Sequence, residues 1–214
     1  MPLYTADALV LRTYKLGETD RIVVFLTRDR GKKRGVAKGA RRPRSRFMAA
    51  LEPLTEVRVA YFEREQRELV GLNYAETIRS PLAHVTEGLG YVGYFAELLD
   101  EWAQEADADD RLYRLGASML DALGAGAPVE PLARYFEYWL LRLQGVYPES
   151  RGTLSPAAIA FLTGSRSVAP ERVGDLAAGR PALTELENVH RALIAMHLEK
   201  TLKSDRVLRD VRRQ

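Results

Sequence analysis

Cysteine is absent from this sequence of 214 residues, which excludes disulfide bonds and zinc sites built on thiolates. No apolar run reaches about 18 residues, so the sequence predicts no transmembrane helix and no membrane partner. The first residues also lack the basic and apolar regions of a secretory signal. Together these absences favour a cytoplasmic protein.

Catalytic groups are equally scarce. Glu187 and His190 have the i, i+3 spacing of a carboxylate–imidazole ligand pair in helical bundles, but a matching second pair is missing. Glu18 and Asp20 flank Thr19 in a polar segment, where a loop facing water is a simpler interpretation than a divalent-ion site. There is no Walker A segment for ATP. We therefore predict a protein that is not an enzyme, with no catalytic residue, no metal and no cofactor.

Positive charge, in contrast, is concentrated in one place. Residues 28–46 contain ten Lys or Arg and one acid, although the whole chain has 32 basic and 29 acidic residues. This basic run carries a net charge of +9, and because the chain totals +3, the remainder carries −6. Arginine pairs with phosphate through two parallel hydrogen bonds. We interpret the run as nucleic-acid-binding, with a solvated face or a protein-binding patch as the alternatives.

Residues 1–80 are predicted to form a small closed barrel. Val57, Val59 and Tyr61 alternate with more polar neighbours, as in a strand with one buried face. The predicted strands are 7–14, 21–27, 32–39, 54–62 and 67–76, with a bulge at Gly71. An antiparallel sheet this small must protect its edges, which favours closure. Aromatic side chains could stack bases, although in a small barrel they belong more often to the core; these are Tyr14, Phe47 and Tyr61.

From Pro81 onwards the apolar spacing becomes helical, which gives an α+β chain of two domains, 1–80 and 81–214. Stripes of apolar residues predict helices; they are Tyr91, Phe95, Leu98, Leu99 and Trp102, and then Leu112, Leu115, Met119 and Leu123. Pro128 begins a third helix that ends at Gly145, and Ser155 caps a fourth. Thr184 and Glu187 have the spacing of a capping box for a last helix that runs near the C-terminus.

A second basic set lies in that last helix. Spacings of three to four place its members on neighbouring turns; they are Lys200, Lys203, Arg206, Arg209 and Arg213. Cations at a helix C-terminus are also favourable for the helix dipole. Nucleic-acid binding and a purely structural role therefore both stay open for this set.

Several segments, in order, resemble the RecO family of bacterial DNA repair proteins. They are "GETDRIVVFLT", "KGARRPRSRF", "LEPLTEVRVAYF", "LNYAE", "YFEYWLLRLQGVYP" and "HRALIAMHLEKTLKSDRVL". The resemblance implies an N-terminal OB-fold and a helical C-terminal domain. It also implies a recombination mediator of the RecFOR pathway, which binds single- and double-stranded DNA without sequence specificity and anneals complementary strands. With RecR, such a protein helps load RecA onto DNA covered by single-stranded DNA-binding protein.

The resemblance also assigns site residues. The implied DNA contacts are Lys32, Lys33, Arg34, Lys38, Arg41, Arg42, Arg44 and Arg46 on the barrel, together with Lys200, Lys203, Arg206 and Arg209. In the family, the acidic C-terminal tail of single-stranded DNA-binding protein docks in the helical domain, and Tyr138, Leu141 and Arg142 are the corresponding residues here. Many relatives carry a four-cysteine zinc knuckle, where this sequence has only a reduced loop at 146–154.

Other classes of function remain as alternatives. A small basic OB-fold also suits an RNA-binding or ribosome-associated protein, because no residue here reveals whether a 2′-hydroxyl is recognised. A metal-dependent nuclease and a scaffold that binds acidic protein tails are weaker alternatives. The family resemblance favours the DNA repair protein, bound to the nucleoid when it is on DNA.

Overall fold

The amino-terminal part of the chain forms a five-stranded barrel in the computed structural model. The structure describes residues 2–63, 67–81, 89–148, 154–200, 202–204 and 208. The strands are β1 (Leu3–Leu16), β2 (Asp20–Thr27), β3 (Gly31–Ala37), β4 (Glu56–Phe62) and β5 (Val70–Arg79). They close in the order β1-β2-β3-β5-β4, and every neighbouring pair is antiparallel except β3 and β5. The predicted OB-fold barrel is thereby confirmed.

Alternation along β4 determines which side chains fill the barrel. Val57, Val59 and Tyr61 are at most 1% exposed and belong to the barrel core, as the sequence predicted. Phe25 and Phe47 join them, and the rings of Phe25 and Tyr61 meet edge to face with centroids 5.7 Å apart. Burial raises the pKa of Tyr61 to about 12. Phe47 and Tyr61 are therefore core residues and not a surface for stacking bases.

The parallel contact between β3 and β5 is a short seam. It consists of two residue pairs, Gly35 with Val70 and Val36 with Gly71. A Cβ at Gly35 would overlap the side chain of Leu72, so glycine is what allows the two strands to approach here. The described strands pair at these two positions alone, and a cavity lies along the seam.

The pairing of β5 with β4 has two irregularities, at Ile78 and at Asn73, and neither lies at the predicted position. Gly71 pairs regularly with Phe62 of β4, whereas Asn73 is the extra residue between the pairs made by Leu72 and Tyr74. The bulge predicted at Gly71 is therefore wrong. Gly71 is instead an exposed strand residue, and a Cβ built on it would meet no atom within 4 Å.

Helices account for the rest of the described secondary structure. The α-helices are α1 (Leu89–Trp102), α2 (Asp110–Gly124), α3 (Val129–Leu143), α4 (Pro156–Gly164) and α5 (Arg180–Leu198). Short 3-10 helices occupy Met48–Leu51 and Pro170–Leu176. The apolar stripes predicted for α1 and α2 are buried, and the Ser155 hydroxyl accepts a hydrogen bond from the Ala158 amide to cap α4. The α+β class is confirmed.

The last helix differs from its prediction at both ends. It begins at Arg180, with Gly179 as the cap and Pro181 in the first turn, so the predicted capping box is wrong. Proline suits this position because a helix leaves its first amides unbonded anyway. The helix ends at Leu198, where Glu199 takes a left-handed conformation with φ 53°.

Two compact units divide the chain. The first comprises residues 1–81 and 92–117, and the second comprises 82–91 and 118–214. In the first unit, Gly116 lies so close to Leu9 and Leu99 that a Cβ would overlap both side chains. Helical residues thus belong to the unit of the barrel, and the domain division at residue 80 stays a prediction.

The chain after α1 covers part of the edge of β3. The Lys32 amide donates to the Gln104 carbonyl at 3.0 Å, and the Ala106 amide donates to the Lys32 carbonyl at 3.3 Å. This makes an isolated parallel bridge between Lys32 and Glu105. The exposed edge of β3 is therefore shorter than the strand itself.

Candidate nucleic-acid interface

The strand half of the basic run makes ion pairs within its own unit. The Lys32 ammonium group donates to the Asp100 carbonyl at 2.6 Å and lies 3.3 Å from the Asp100 carboxylate. The Lys33 ammonium group lies 2.8 Å from the Glu63 carboxylate. Arg34, the next residue of β3, is exposed. Two of the predicted DNA contacts are therefore already partnered by carboxylates far away in sequence.

The loop half, residues 38–46, is held against the turn between β1 and β2. The Asp20 carboxylate accepts hydrogen bonds from the Gly39 amide at 2.8 Å and the Thr19 hydroxyl at 2.9 Å. The Gly39 amide is the main cause of a lowered pKa of Asp20, followed by Thr19 and by the charges of Lys38 and Arg42. This carboxylate therefore anchors the basic loop, a use that the sequence did not indicate.

Arg41 strengthens the same anchor. Its amide donates to the Thr19 carbonyl at 2.9 Å, and its guanidinium group donates to the carbonyls of Gly17 and Glu18 at 3.0 and 2.9 Å. Arg41 thus positions the loop while its charge stays at the surface. Of the two acids that flank Thr19, Asp20 thus binds this loop through its carboxylate, and Glu18 binds it through its backbone carbonyl.

Beyond the anchor, the loop presents exposed cations. Arg44 has a left-handed conformation with φ 62°, which is unusual for a residue with a side chain. The Arg46 guanidinium group lies 5.1 Å from the centroid of the buried Phe47 ring. Arg28 and Arg30, at the start of the run, are exposed but pair with Asp110 and Asp29. Within the part of the chain that the structure describes, no ion pair engages five other exposed cations of the run; these are Arg34, Lys38, Arg42, Arg44 and Arg46.

A cavity of about 530 Å³ opens at the seam of β3 and β5, next to this loop. Apolar side chains and exposed cations share its lining, which includes Val36, Phe62, Leu69, Leu72, Lys38, Arg46 and Arg67. Glu68 is the one acid among the lining residues that the structure describes. A second cavity of about 240 Å³ follows the seam further and shares Arg67 and Glu68 with the first.

Tyr14 is the aromatic residue of the predicted stacking set that reaches the surface. Its side chain is 42% exposed, and its hydroxyl accepts a hydrogen bond from Arg12 at 3.2 Å. In the sheet register, Tyr14 lies opposite Ile22, and Ile22 lies opposite Val36. These three residues form one row on the outer face of the barrel, because directly paired residues share a face.

The second basic set does not continue α5. Lys200 and Lys203 are exposed, but they follow the end of the helix at Leu198. The prediction of one continuous basic helix is wrong, because Glu199 has a left-handed backbone that ends it. Arg206, Arg209 and Arg213 lie outside the described residues.

In the helical unit, buried charges neutralise one another. Arg134, 4% exposed, lies 2.6 Å from Glu137 and 3.0 Å from Glu187. His190 is fully buried, with Nδ1 at 2.9 Å from Glu137 and Nε2 at 3.3 Å from the Tyr147 hydroxyl. Glu187 and His190 therefore serve this network. The described residues contain no cluster of three or more His, Cys, Asp or Glu that suits a metal ion.

The residues predicted to bind the tail of single-stranded DNA-binding protein include a buried tyrosine, Tyr138, whose hydroxyl group contacts arginine side chains. Leu141 is fully buried and Tyr138 is 1% exposed, so both pack in the helical core. The Tyr138 hydroxyl accepts hydrogen bonds from Arg142 at 2.9 Å and from Arg166 at 2.6 Å. Sequence reasoning missed Arg166, because its position beyond α4 gives no signal that it meets α3.

Two family models match the chain. One, described as "Recombination protein O N terminal", matches residues 1–81, and the other, "Recombination protein O C terminal", matches residues 85–152. The DNA repair protein RecO of Nocardioides sp. is 36% identical over an alignment 244 positions long, which covers 94% of this chain and 97% of that protein. The chain belongs to the RecO family.

Other RecO proteins match over shorter ranges. The protein of Koribacter versatilis is 40% identical over 152 residues, or 69% of this chain and 61% of that protein. The protein of Anaeromyxobacter sp. (strain K) is 39% identical over 143 residues, or 65% of this chain and 56% of that protein. The alignment with these two RecO relatives therefore spans less than two thirds of their own length.

The C-terminal RecO match ends at residue 152, inside the loop at 146–154 that was predicted to be reduced. With no cysteine in the sequence, this RecO chain has no four-cysteine zinc knuckle. Residues 149–153 of the loop lie outside the described residues. None of the described helices is long and apolar enough to cross a membrane.

Proposed function

We propose that this RecO family member is a DNA repair and recombination mediator, without enzymatic activity, that holds single- and double-stranded DNA by its phosphates. The observation that carries the proposal is the anchored loop, 38–46, which presents Arg42, Arg44 and Arg46 to solvent on a chain that is acidic elsewhere. Phosphate contacts carry no base information, so binding is expected to be independent of sequence. On this proposal the protein acts in the cytoplasm, at the nucleoid.

Charge also gives a mechanism for strand annealing. Two single strands repel each other, and cations that cover their phosphates release counterions and reduce that repulsion. The barrel supplies one basic surface, and Lys200 and Lys203 with Arg206 and Arg209 are proposed to supply another. A strand held by its backbone keeps its base edges available for pairing. Lys32 and Lys33 are expected to add less than the loop, because carboxylates already pair with them.

The salt dependence of binding tests this proposal. Five exposed cations of the basic run, if each neutralises one phosphate, give a slope of log affinity against log salt of about −3.5 for a single strand. Removing three of them with Arg42→Gln, Arg44→Gln and Arg46→Gln should reduce the slope to about −1.4. Fluorescence anisotropy with a labelled oligonucleotide at several salt concentrations measures both slopes.

A matched control changes the same net charge elsewhere. Arg111→Gln, Arg114→Gln and Arg172→Gln remove three exposed guanidinium groups that lie outside the basic run in sequence. This control should leave the slope near −3.5, since global charge alone does not set the number of phosphates covered. Equal slopes for both triple variants would contradict the proposal. An RNA oligonucleotide of the same sequence that bound far more tightly than DNA would favour the RNA-binding alternative.

Partner binding is a further part of the proposal, supported by the family resemblance. We propose that this chain acts with RecR to help load RecA onto DNA, as the family resemblance implies. We also propose that the acidic tail of single-stranded DNA-binding protein docks beside Tyr138. The geometry that supports the tail site is the pair of guanidinium groups, Arg142 and Arg166, that converge on one phenol oxygen. A terminal carboxylate is a suitable ligand for such a pair.

Strand annealing on precoated DNA tests the tail site. Arg142→Ala with Arg166→Ala should slow annealing of strands coated with intact single-stranded DNA-binding protein, but not of strands coated with the tailless form. Arg172→Ala, also an exposed arginine of the helical unit, is the control and should change neither rate. Equal slowing on both substrates would show that these arginines act on DNA and not on the tail.

A further inference from the structure

The cavity at the seam of β3 and β5 combines two chemistries that a nucleotide also combines. Its apolar side chains include Val36, Phe62 and Leu69, and its cations include Lys38 and Arg46 of the basic loop. A base has two apolar faces and is joined to phosphates on either side. The volume of the cavity, about 530 Å³, lies within the range of about 300–1,000 Å³ that is usual for ligand pockets.

Polar groups suited to the edge of a base are also present. Asn73 and Glu68 line the cavity, and their side chains offer an amide and a carboxylate for hydrogen bonds. Asn73 is one of two extra residues of β5, so it owes its position to a local irregularity of that strand. A wall with only apolar atoms would suit a lipid or an aliphatic side chain better than a heterocycle.

The cavity is continuous with the exposed outer face of the barrel. Val36 belongs both to its lining and to the row that contains Ile22 and Tyr14, and Val36 pairs with Gly71 on the other side. Adjacent strands are about 4.8 Å apart, so the row from Tyr14 to Gly71 is about 14 Å long. A chain that enters the cavity can therefore continue across the barrel beside the basic loop.

We infer that this cavity takes one base of a single-stranded DNA, while Lys38 and Arg46 hold the flanking phosphates. The inference rests on the proposed function and goes further, because it assigns base contacts to a surface proposed above to bind phosphates alone. Contact with the faces of a base does not select its identity, so any sequence preference is confined to this one base and to the edge contacts of Asn73 and Glu68. An acidic peptide is the competing occupant; continuity with the row that ends at the exposed Tyr14 ring favours the DNA strand.

Gly71 offers a direct test, because its position permits a larger side chain. Its Cβ would meet no atom within 4 Å, and Gly71→Leu adds its side chain to the cavity lining. The matched control is Gly93→Leu in α1, where a Cβ likewise meets nothing within 4 Å. Each protein is titrated with an ordinary single strand and with an abasic strand of the same length, which keeps the phosphates and lacks the bases.

Gly71→Leu should weaken binding of the ordinary strand by about tenfold, in keeping with the loss of one stacked base, and should change binding of the abasic strand by less than about twofold. Gly93→Leu should change neither. A folded Gly71→Leu protein that binds the ordinary strand like wild type would overturn the inference while leaving phosphate binding intact. Equal weakening on both strands would also overturn it. Failure of the wild-type protein to bind either strand would instead contradict the proposed function.

Two further measurements do not depend on that variant. Wild-type protein should bind the ordinary strand at least about tenfold more tightly than the abasic strand, and equal affinity would count against any base contact. Gly71→Leu should leave the affinity for an acidic peptide with an aromatic end unchanged. Loss of peptide binding without loss of DNA binding would assign the cavity to a protein partner and overturn the inference.

Discussion

Arginine serves opposite purposes in the barrel loop and in the helical unit. Arg134 of α3 is 4% exposed and lies between the carboxylates of Glu137 and Glu187, so its charge is cancelled inside the protein. Arg42 and Arg44 of the loop are exposed, and the groups that hold their loop are backbone atoms and the Asp20 carboxylate. The comparison teaches that an arginine is available to a ligand only if its guanidinium group is not already paired with carboxylates inside the protein.

The largest expected effect is a loss of stability when the buried arginine, Arg134, is replaced. Arg134→Met removes one member of a buried ion pair and leaves Glu137 and Glu187 without their shared cation. The free energy of unfolding should fall by about 3–5 kcal/mol, as measured by urea denaturation. The salt slope of DNA binding by the folded fraction should stay unchanged. A loss below about 1 kcal/mol would contradict the role assigned to Arg134.

Lys32 and Lys38 provide an intermediate case within one strand and its loop. Lys32→Met should lower the free energy of unfolding by about 1–2 kcal/mol, because it removes hydrogen bonds between the ammonium group and Asp100. Lys38→Met should leave stability nearly unchanged and reduce the magnitude of the salt slope by about 0.7. The opposite pattern would show that the ion pair of Lys32 opens to bind DNA.

Arg44 allows a smaller test of the same comparison, in which stability and DNA binding should change in opposite directions. Its φ of 62° is unfavourable for a residue with a Cβ, and glycine removes that penalty. Arg44→Gly should raise the free energy of unfolding by up to about 1 kcal/mol while it weakens DNA binding by one phosphate contact. Arg42→Gly is the control, with a similar loss of binding and no gain in stability.

The smallest effect is local to the anchor of the loop. The pKa of Asp20 is lowered in the folded protein, so its contribution is present above the ordinary value of 3.8 and is lost as the pH falls through the lowered pKa. Hydrogen exchange at the Gly39 amide, corrected for its intrinsic pH dependence, should therefore become less protected in that acidic range. In Asp20→Asn, protection should be lower at neutral pH and should not vary in this way with acidification. An unchanged profile in the variant would contradict the anchor.

Local patterns were sufficient for most of the fold. The alternation in β4 and the stripe of α1 depend only on neighbours in sequence, and both were predicted correctly. The pairing of Lys32 with Asp100 joins residues 68 positions apart, and no local pattern contains it. The same holds for Arg166, which meets Tyr138 across 28 positions. The basic loop was visible as charge, whereas its anchor and the cavity beside it depend on how distant strands close.

The bridge between Lys32 and Glu105 has a consequence for how the protein behaves at high concentration. A strand edge with unsatisfied amides and carbonyls is a template on which a second molecule can add its own strand. Here the polypeptide after α1 occupies that template with two backbone hydrogen bonds, so polymerisation by strand addition is blocked at this stretch of β3. Under the proposed annealing function, in which DNA strands are brought close together, this shielding would keep neighbouring copies from pairing through this stretch of β3.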